Sequence, residues 1–215
     1  MSKLGKQECK MIDEVGEKGL KVFFRDFLKR SDLVDSFRFP TAEPQPRFLP
    51  TKKQLSEFFA ELNDYERPIF LLYASSGLRR SEVLDLRIDQ LDLENRAIIP
   101  FHATTQKKSW ISFYNDEAEQ ELRPYLNTDG KIFKLSSERK YLLFREARLK
   151  TGLDITPQTL RFWFANEMAR LGVPDRFIDA FQGRIPRSVL ARHYTDYSLE
   201  NLKAIYDRAG LRVLS

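Results

Sequence analysis

Two adjacent arginines, Arg79 and Arg80, are of a residue type that binds phosphate. They follow Gly77 in "YASSGLRRSEVLDL", at a predicted helix-to-helix turn, where free backbone N–H groups favour an anion. Glu82 offers an alternative, because it could pair with either arginine at the surface in a contact of little energetic weight. This segment alone leaves both interpretations open.

A third arginine, Arg161, stands apart from the apolar stripe of another predicted helix. In "DITPQTLRFWFANEMARLG", Thr156 is the expected N-cap and Pro157 the first helical residue, which fixes the register. In that register the apolar stripe consists of Leu160, Phe164, Met168 and Leu171. Gln158, Arg161 and Ala165 share a different face. Arg161 is therefore either an ordinary exposed arginine or part of a site on that face.

Two tyrosines lie near the end of the chain, in "ARHYTDYSLENL". Tyr194 or Tyr197 could attack phosphorus as a nucleophile, or both could be half-buried aromatic residues, which is the commoner role of tyrosine. Arg184 follows a glycine that is expected to end a helix, and it precedes Tyr194 by ten residues. It would bring a further cation close to this tyrosine pair.

One β-hairpin is predicted between residues 97 and 113. The β-rich runs "AIIPFH" and "WISF" flank the polar loop "ATTQKKS", which is the pattern of two strands joined by a longer loop. Pro100 predicts that the first strand lies at a sheet edge, since proline donates no ladder hydrogen bond. Lys107 and Lys108 lie in the loop, where a lysine can reach a neighbouring groove or remain solvated.

The rest of the sequence predicts helices. "TKKQLSEFFAEL" begins with a capping box, Thr51 and Gln54, and "RPIFLLYASSG" is a helix that ends at Gly77. Further helical patterns occupy "NDEAEQELRPYL", "SERKYLLFREARLKTG", "PDRFIDAFQG", "PRSVLARHY" and "LENLKAIYDRAG". Glycines at the C-terminal cap position are Gly152, Gly172 and Gly183. The predicted fold class is mainly α with a small antiparallel β-sheet, an α+β fold.

The composition restricts the kinds of partner and site. A formal net charge of +5 favours a polyanion such as nucleic acid. Cys9 is the only cysteine, and His102 and His193 are the only histidines, so neither an internal disulfide nor a metal site is expected. The longest apolar run, "IFLLYA", is too short to cross a bilayer. The N-terminus resembles no signal peptide, which predicts a cytoplasmic protein without a membrane partner.

Several motifs, which follow one another along the chain in the family's order, resemble those of the tyrosine recombinases, also called phage-type integrases. The chain has "GLRRSEV" for a family box resembling "GLRxSEL", and "TPQTLRF" for one resembling "TPHTLRH". It also has "ARLGVPDRFIDAFQGR" for one resembling "LENGVDLRTIQELLGH". A hairpin lysine in "TTQKKSW" and a tyrosine in "HYTDY", near the family's "YTH", complete the set. The resemblance covers residues 50 to about 200 and is more specific than any single box.

This resemblance implies the tyrosine recombinase catalytic-domain fold and a site-specific DNA recombinase or integrase that needs no cofactor. Arg79 and Arg161 match the two arginines that bind the non-bridging oxygens of the scissile phosphate. Tyr194 matches the nucleophile, which forms a 3′-phosphotyrosyl link and releases a 5′-hydroxyl. Lys107 or Lys108 matches the general acid that protonates the leaving 5′-oxygen.

Three positions depart from the family's pattern. Gln158 replaces a His or Lys, and its amide can hydrogen-bond a phosphate oxygen but exchanges no proton at neutral pH. Phe162 replaces a common histidine. Arg184 occupies the usual His or Trp position and would add a third cation to the phosphate site, as in the similar archaeal virus and plasmid integrases. Gln158 and Arg184 are therefore counted with the catalytic residues. The DNA-contacting residues expected beside them are Arg80, Arg187 and His193.

The family's usual architecture divides the chain into three parts. Residues 1–38 resemble the last helices of an N-terminal core-binding domain, 39–50 an interdomain linker, and 51–215 a catalytic domain with a tail helix at 198–208. The implied partner is a double-stranded DNA attachment site in the host cell's nucleoid. Protomers are expected to self-associate on it as a tetrameric synapse, exchanging their tail helices. With so little of the N-terminal domain, DNA binding should be weak and strongly salt-dependent.

Two other functions fit parts of the pattern. A type IB topoisomerase uses the same tyrosine chemistry to relax supercoils, but the small size and the integrase-like boxes disfavour it. A non-catalytic helical DNA-binding module would use its arginine-rich turns to contact phosphates and its tyrosines for packing. The departures at Gln158 and Phe162 are compatible with that module. Covalent protein–DNA adducts would distinguish either enzyme from it.

Overall fold

The computed structural model describes residues 19, 22–35, 47–99, 111–127, 129–184 and 194–214. The chain divides into two units, Met1–Arg47 and Phe48–Ser215. The expected boundaries at residues 38 and 50 stay predictions. In the first unit the described residues form a π-helical turn, Phe23–Phe27, and a one-turn helix, Asp32–Asp35. Within residues 22–35 the first helical turn is therefore π-helical rather than α-helical.

The second unit begins with three helices, α1 (Lys52–Ala60), α2 (Glu66–Ser76) and α3 (Arg80–Leu84). The predicted capping box is present, because Gln54 N–H donates to Thr51 Oγ1 and Thr51 N–H donates to Gln54 Oε1. Helix α2 is buried from Pro68 to its end, which explains why this stretch is apolar all round. It ends at Gly77, whose φ of 63° is left-handed. The turn into α3 is thus fixed where the sequence predicted it.

A three-stranded antiparallel sheet in the order β1-β2-β3 contacts α2. Its strands are β1 (Leu91–Asp92), β2 (Ala97–Ile98) and β3 (Ser112–Phe113). Leu91 pairs with Ile98, and Ala97 with Phe113. The β2–β3 pairing confirms the hairpin, but the prediction that its first strand is an edge strand is wrong, since β2 is central. Pro100 itself lies outside the described residues.

After the sheet come α4 (Asp116–Leu122), α5 (Ser137–Leu142) and α6 (Arg145–Thr151). A 3-10 turn precedes β1 at Ile88–Gln90, and another follows α4 at Arg123–Tyr125. The prediction of one helix over residues 137–151 is wrong. Phe144 has a left-handed backbone, φ 65°, and its fully buried ring packs edge-on against Phe58 and Phe70. Burial of the ring offsets the cost of that backbone conformation, and helical periodicity contains no sign of it.

Helices α7 (Pro157–Arg170) and α8 (Asp175–Phe181) follow, and α7 packs on α2. Thr156 caps α7 by accepting from Thr159 N–H at 3.2 Å, with Pro157 in the first turn. The predicted apolar stripe is buried except for its last residue, Leu171, which lies at the end of the helix and is half exposed. The predicted glycine caps all have a left-handed φ: Gly152, Gly172 and Gly183.

The tail helix α9 (Leu199–Ala209) packs within its own chain. Leu202 and Tyr206 are buried, and the residues after the helix are held by Glu117, whose carboxylate accepts from Val213 N–H at 2.7 Å and Leu214 N–H at 3.1 Å. The expected exchange of this helix between protomers is therefore not the arrangement of the isolated chain.

The described elements of the second unit form one hydrophobic core around α2 and α7. They confirm a mainly α fold with a small antiparallel β-sheet. Over the ranges that the structure describes, none of the helices has both the length and the apolar character that crossing a membrane requires.

Candidate active site

Arg79 lies at the N-terminal end of α3 as its N-cap residue. Its guanidinium donates to Glu82 Oε1 and to the Gly183 carbonyl, each at 2.8 Å. Glu82 Oε2 also accepts from Arg79 N–H at 2.6 Å. Arg79 thus pairs with Glu82 as one alternative predicted. This pair belongs to a partly buried set of hydrogen bonds that fixes the guanidinium between the start of α3 and the turn after α8.

Arg161 is buried, with 8% of its surface exposed. Its Nη1 donates to the Gly77 carbonyl at 2.5 Å, and its Nη2 donates to the Gln182 carbonyl at 2.7 Å. Gln182 returns a hydrogen bond from its side-chain amide to the Arg161 carbonyl at 2.8 Å. The alternative of an ordinary exposed arginine is therefore wrong, because the ends of α2 and α8 both contact this side chain.

The two arginines are anchored by consecutive carbonyls, Gln182 for Arg161 and Gly183 for Arg79. Burial is the main cause that lowers the pKa of Arg161 to about 10, and the positive charges of Arg79 and Arg184 add to it. The guanidinium stays protonated at neutral pH. A bound anion would favour the protonated guanidinium, because its negative charge compensates the buried positive charge and offsets the repulsion from Arg79 and Arg184.

Both guanidinium groups line one cleft of about 480 Å³. Its lining consists of Arg79, Arg80, Ser81, Leu84, Asp85, Lys140, Gln158 and Arg161. Gln158 enters the cleft with Arg161 because the two residues are three apart on α7. The hydrogen bonds among the described residues use two of the five N–H donors of Arg79 and two of those of Arg161. Donors therefore remain on each for the oxygens of a phosphate.

Two predicted site residues, Arg184 and Tyr194, are not part of this lining. Arg184 N–H donates to the Asp179 carbonyl at 2.8 Å, and its guanidinium is 3.4 Å from the Asp179 carboxylate. Tyr194 is 77% exposed. Tyr197 differs, since its ring packs edge-on against Phe177 with centroids 6.2 Å apart. The structure thus brings the charge of Arg184 close enough to Arg161 to help lower the pKa of that guanidinium, while Tyr194 is largely exposed to solvent.

The remaining predicted site residues lie outside the described part of the chain: Lys107, Lys108, Arg187 and His193. Their roles stay predictions. Among the side chains that the structure describes, no group of three or more His, Cys, Asp or Glu could hold a metal ion.

Comparison with known families identifies the chain. The sequence model of the archaeal phage integrase family matches residues 47–208, which include every described residue of the cleft. The chain belongs to the archaeal phage integrase family. Relatives of this integrase are the tyrosine recombinases XerA of Pyrococcus furiosus and XerC of Lactobacillus delbrueckii subsp. bulgaricus. XerA is 26% identical over 89% of this chain and 72% of its own length. XerC is 32% identical over 87% of this chain and 72% of its own length.

Solved structures show the same fold for this integrase. The Tn1549 transposon integrase, solved in complex with circular intermediate DNA, has a TM-score of 0.64 at 16% identity and covers 93% of this chain and 83% of its own. The crystal structure of XerA recombinase has a TM-score of 0.56 at 22% identity, and the match covers 94% of this chain and 77% of the XerA chain. Together with the sequence relatives, these matches identify a tyrosine recombinase, an enzyme of site-specific recombination, and give neither the topoisomerase nor the binding-module alternative better support.

The residues of the integrase cleft or its support that were not predicted from the sequence include Asp85, Lys140 and Gln182. Gln182 precedes Gly183 in "FQGR", and its position before a helix-ending glycine was the available signal. The sequence contains no comparable signal for Asp85 and Lys140, because a charged residue in a helical segment is usually solvated.

Proposed function

We propose that this recombinase cleaves and rejoins double-stranded DNA at an attachment site, with Arg79 and Arg161 binding the scissile phosphate. The observation that carries the proposal is the convergence of these two arginines on one cleft, each anchored by a carbonyl at the turn after α8. Fixed guanidinium groups stabilise the charge that develops on phosphate oxygens in the transition state without reorganising. Gln158, in the same cleft, adds a neutral hydrogen-bond donor.

Tyr194 supplies the nucleophile in this mechanism. Its phenolic oxygen attacks phosphorus, the bond from phosphorus to the 5′-oxygen breaks, and a 3′-phosphotyrosyl link forms while the phenol proton passes to water. Lys107 or Lys108 protonates the leaving 5′-oxygen. Arg184 raises the positive charge around the phosphate. The stored covalent bond allows rejoining when a 5′-hydroxyl attacks the link, so no cofactor is consumed.

The partners belong to the same proposal. Membership of the archaeal phage integrase family supports an archaeal virus or plasmid as the source of the chain, acting on DNA in the host cell's nucleoid. The relative that was solved with circular intermediate DNA supports duplex DNA as the ligand, and Arg80, Arg187 and His193 would contact it near the cleft. Self-association as a tetramer would then require α9 to leave its own core and pack on a neighbouring protomer.

Covalent adducts test the proposal. The protein is incubated with a nicked suicide substrate of its attachment site and with supercoiled plasmid, and the products are separated on a denaturing gel. We expect a protein–DNA adduct with the wild type and with Tyr197→Phe, and none with Tyr194→Phe, because phenylalanine has no hydroxyl to attack phosphorus. Adducts that persist in Tyr194→Phe and vanish in Tyr197→Phe would assign the chemistry to the other tyrosine. A complete absence of adducts would leave a DNA-binding module.

A further inference from the structure

A second group of charges, which the proposed chemistry does not use, lies partly in the cleft and partly beside it. This Asp85 cluster consists of Arg80, Asp85, Lys131 and Lys140. Asp85 Oδ1 accepts from Lys131 Nζ at 2.8 Å and from Lys140 Nζ at 2.9 Å. Three cations against one carboxylate leave the cluster a net charge of +2. It therefore attracts an anion even though an acidic residue lies at its centre.

Lys140 is the lysine of this cluster that faces the cleft. It lines the cleft together with Arg80 and Asp85, whereas Lys131 does not. Only 27% of the Lys140 side chain is exposed, compared with 50% for Lys131. A lysine that is held in one conformation loses less rotamer freedom when it binds a ligand than a solvated one does. Lys140 is thus preorganised where most surface lysines are not.

The backbone around Lys140 is tied to the same turn as the arginine pair. The Arg80 guanidinium donates to the Lys140 carbonyl, and Tyr73 OH donates to the Arg80 carbonyl at 3.0 Å. Arg80 directly follows Arg79 in the chain. The position of Lys140 relative to Arg79 is therefore set by hydrogen bonds, although the two residues lie on different helices, α5 and α3.

Hydrogen bonds from both lysines lower the pKa of Asp85. The carboxylate stays charged at neutral pH and keeps its hold on Lys140.

We propose that Lys140 binds the DNA phosphate next to the scissile phosphate and that Asp85 positions it for this contact. The inference rests on the proposed function, since it takes Arg79 and Arg161 to bind the scissile phosphate. A strand that lies in the cleft presents consecutive phosphates, and the Asp85 cluster is the cationic group beside the arginine pair. Lys140 thereby sets which phosphodiester reaches Tyr194. It is a positioning residue that binds a phosphate which does not react.

Single methylphosphonate substitutions test this assignment, because each removes the charge of one phosphate. The rate of adduct formation is measured on suicide substrates that carry the neutral group at each phosphate flanking the cleavage point in turn. We expect wild-type protein to lose about tenfold to a hundredfold at one adjacent position, the effect of a charge-assisted hydrogen bond. Lys140→Ala should be slower by a similar factor on unmodified DNA and show no further loss at that position, while its losses elsewhere match the wild type.

Two further variants are needed, one as a control and one to separate the positioning of Lys140 from the net charge of the Asp85 cluster. Lys53→Ala is the matched control, because Lys53 is 87% exposed on α1 and pairs with Glu57 at 3.9 Å; it should behave like the wild type at every phosphate. Asp85→Asn removes a negative charge but also the anchor of Lys140. We expect it to bind DNA at least as tightly as the wild type and still lose part of the sensitivity at the adjacent phosphate.

The failures of the two proposals are distinguishable. If wild-type protein forms no adduct on any substrate, the proposed function fails. If the wild type forms adducts and Lys140→Ala keeps full sensitivity at every position, the function stands and the role of Lys140 is wrong. Restoration of Lys140→Ala by a 5′-bridging sulfur, a leaving group that needs no protonation, would make Lys140 the general acid and would also overturn the inference.

Discussion

At the scale of single residues, the two arginines proposed to bind the scissile phosphate differ in burial, since Arg79 is partly accessible and Arg161 is buried. Arg79 is partly exposed and its orientation is fixed by Glu82. Arg161 is buried and joins two chain segments, the Gly77 turn and the Gln182 turn. Its loss would therefore affect folding as well as phosphate binding, whereas loss of Arg79 should affect mainly phosphate binding.

Arg161→Lys tests this dual role. A single ammonium group cannot reproduce the planar fork that reaches the Gly77 and Gln182 carbonyls together, and an unsatisfied buried carbonyl costs about 1 to 3 kcal/mol. We expect a lower melting temperature and a smaller rise of that temperature with sulfate than in the wild type. Arg170→Lys, at an exposed position 3.6 Å from Glu167, is the control and should leave both measurements unchanged. An equal sulfate response in Arg161→Lys would show that this arginine does not bind anions.

At the scale of secondary structure, the end of α2 is where several elements meet. Its last two carbonyls and that of Gly77 each accept a hydrogen bond from a different element. Ser75 accepts from Tyr206 OH on α9 at 2.7 Å, and Ser76 accepts from Ser112 Oγ on β3, also at 2.7 Å. Gly77 accepts from Arg161 on α7. The tail helix and Arg161 thus stabilise one turn together, which links the packing of the tail to the geometry of the cleft.

Tyr206→Phe removes one of these donors while keeping the ring. Burial raises the pKa of Tyr206, so its hydroxyl stays protonated and able to donate well into the alkaline range. Without it the Ser75 carbonyl loses its side-chain donor, and we expect the free energy of unfolding to fall by about 1 to 3 kcal/mol, measured by chemical denaturation. Tyr141→Phe, at a tyrosine that is 85% exposed, should change it by less than about 0.5 kcal/mol.

The turn at the end of α2 also depends on a glycine, and the chain contains a matched control. Gly77 and Gly152 have nearly the same left-handed φ, 63° and 68°. A Cβ at Gly77 would lie 2.3 Å from Phe164 Cδ1, whereas a Cβ at Gly152 would meet nothing within 4 Å. Gly152→Ala should cost about 1 kcal/mol from backbone strain alone. Gly77→Ala should cost a further 1 to 3 kcal/mol or so, so equal unfolding energies would contradict the observed packing.

At the scale of the whole molecule, charge sets how the integrase meets DNA. The net charge of +5 and a cleft that contains four cationic side chains favour binding through phosphates rather than bases. Affinity should therefore be weak and should fall steeply with salt. Arg79→Ala should reduce the slope of log affinity against log salt by about 1, which titration of labelled duplex at several salt concentrations would measure. Nanomolar, site-specific binding at physiological salt would contradict this prediction.

The sequence by itself determined the local features of this protein. The capping box at Thr51, the glycine caps and the family boxes each depend on neighbouring residues, so they could be read without a fold. The hairpin could be predicted from the β-rich runs that contain β2 and β3, but β1 could not, because Leu91–Asp92 lies in the polar stretch "DQLDLEN". Phe144 was also missed, since its backbone conformation is stabilised by a ring buried among residues of other helices.

Only the tertiary structure decided how the candidate site is held together. Arg161 could be placed on the face of Gln158 from helical spacing, yet its burial depends on Gly77 and Gln182, which lie far from it along the chain. The hold of Asp85 on Lys140 likewise joins distant segments. Such contacts arise from the packing of whole helices and leave no periodic trace in the sequence. The sequence therefore predicted which groups could bind phosphate, and the fold determined which of them line the same cleft.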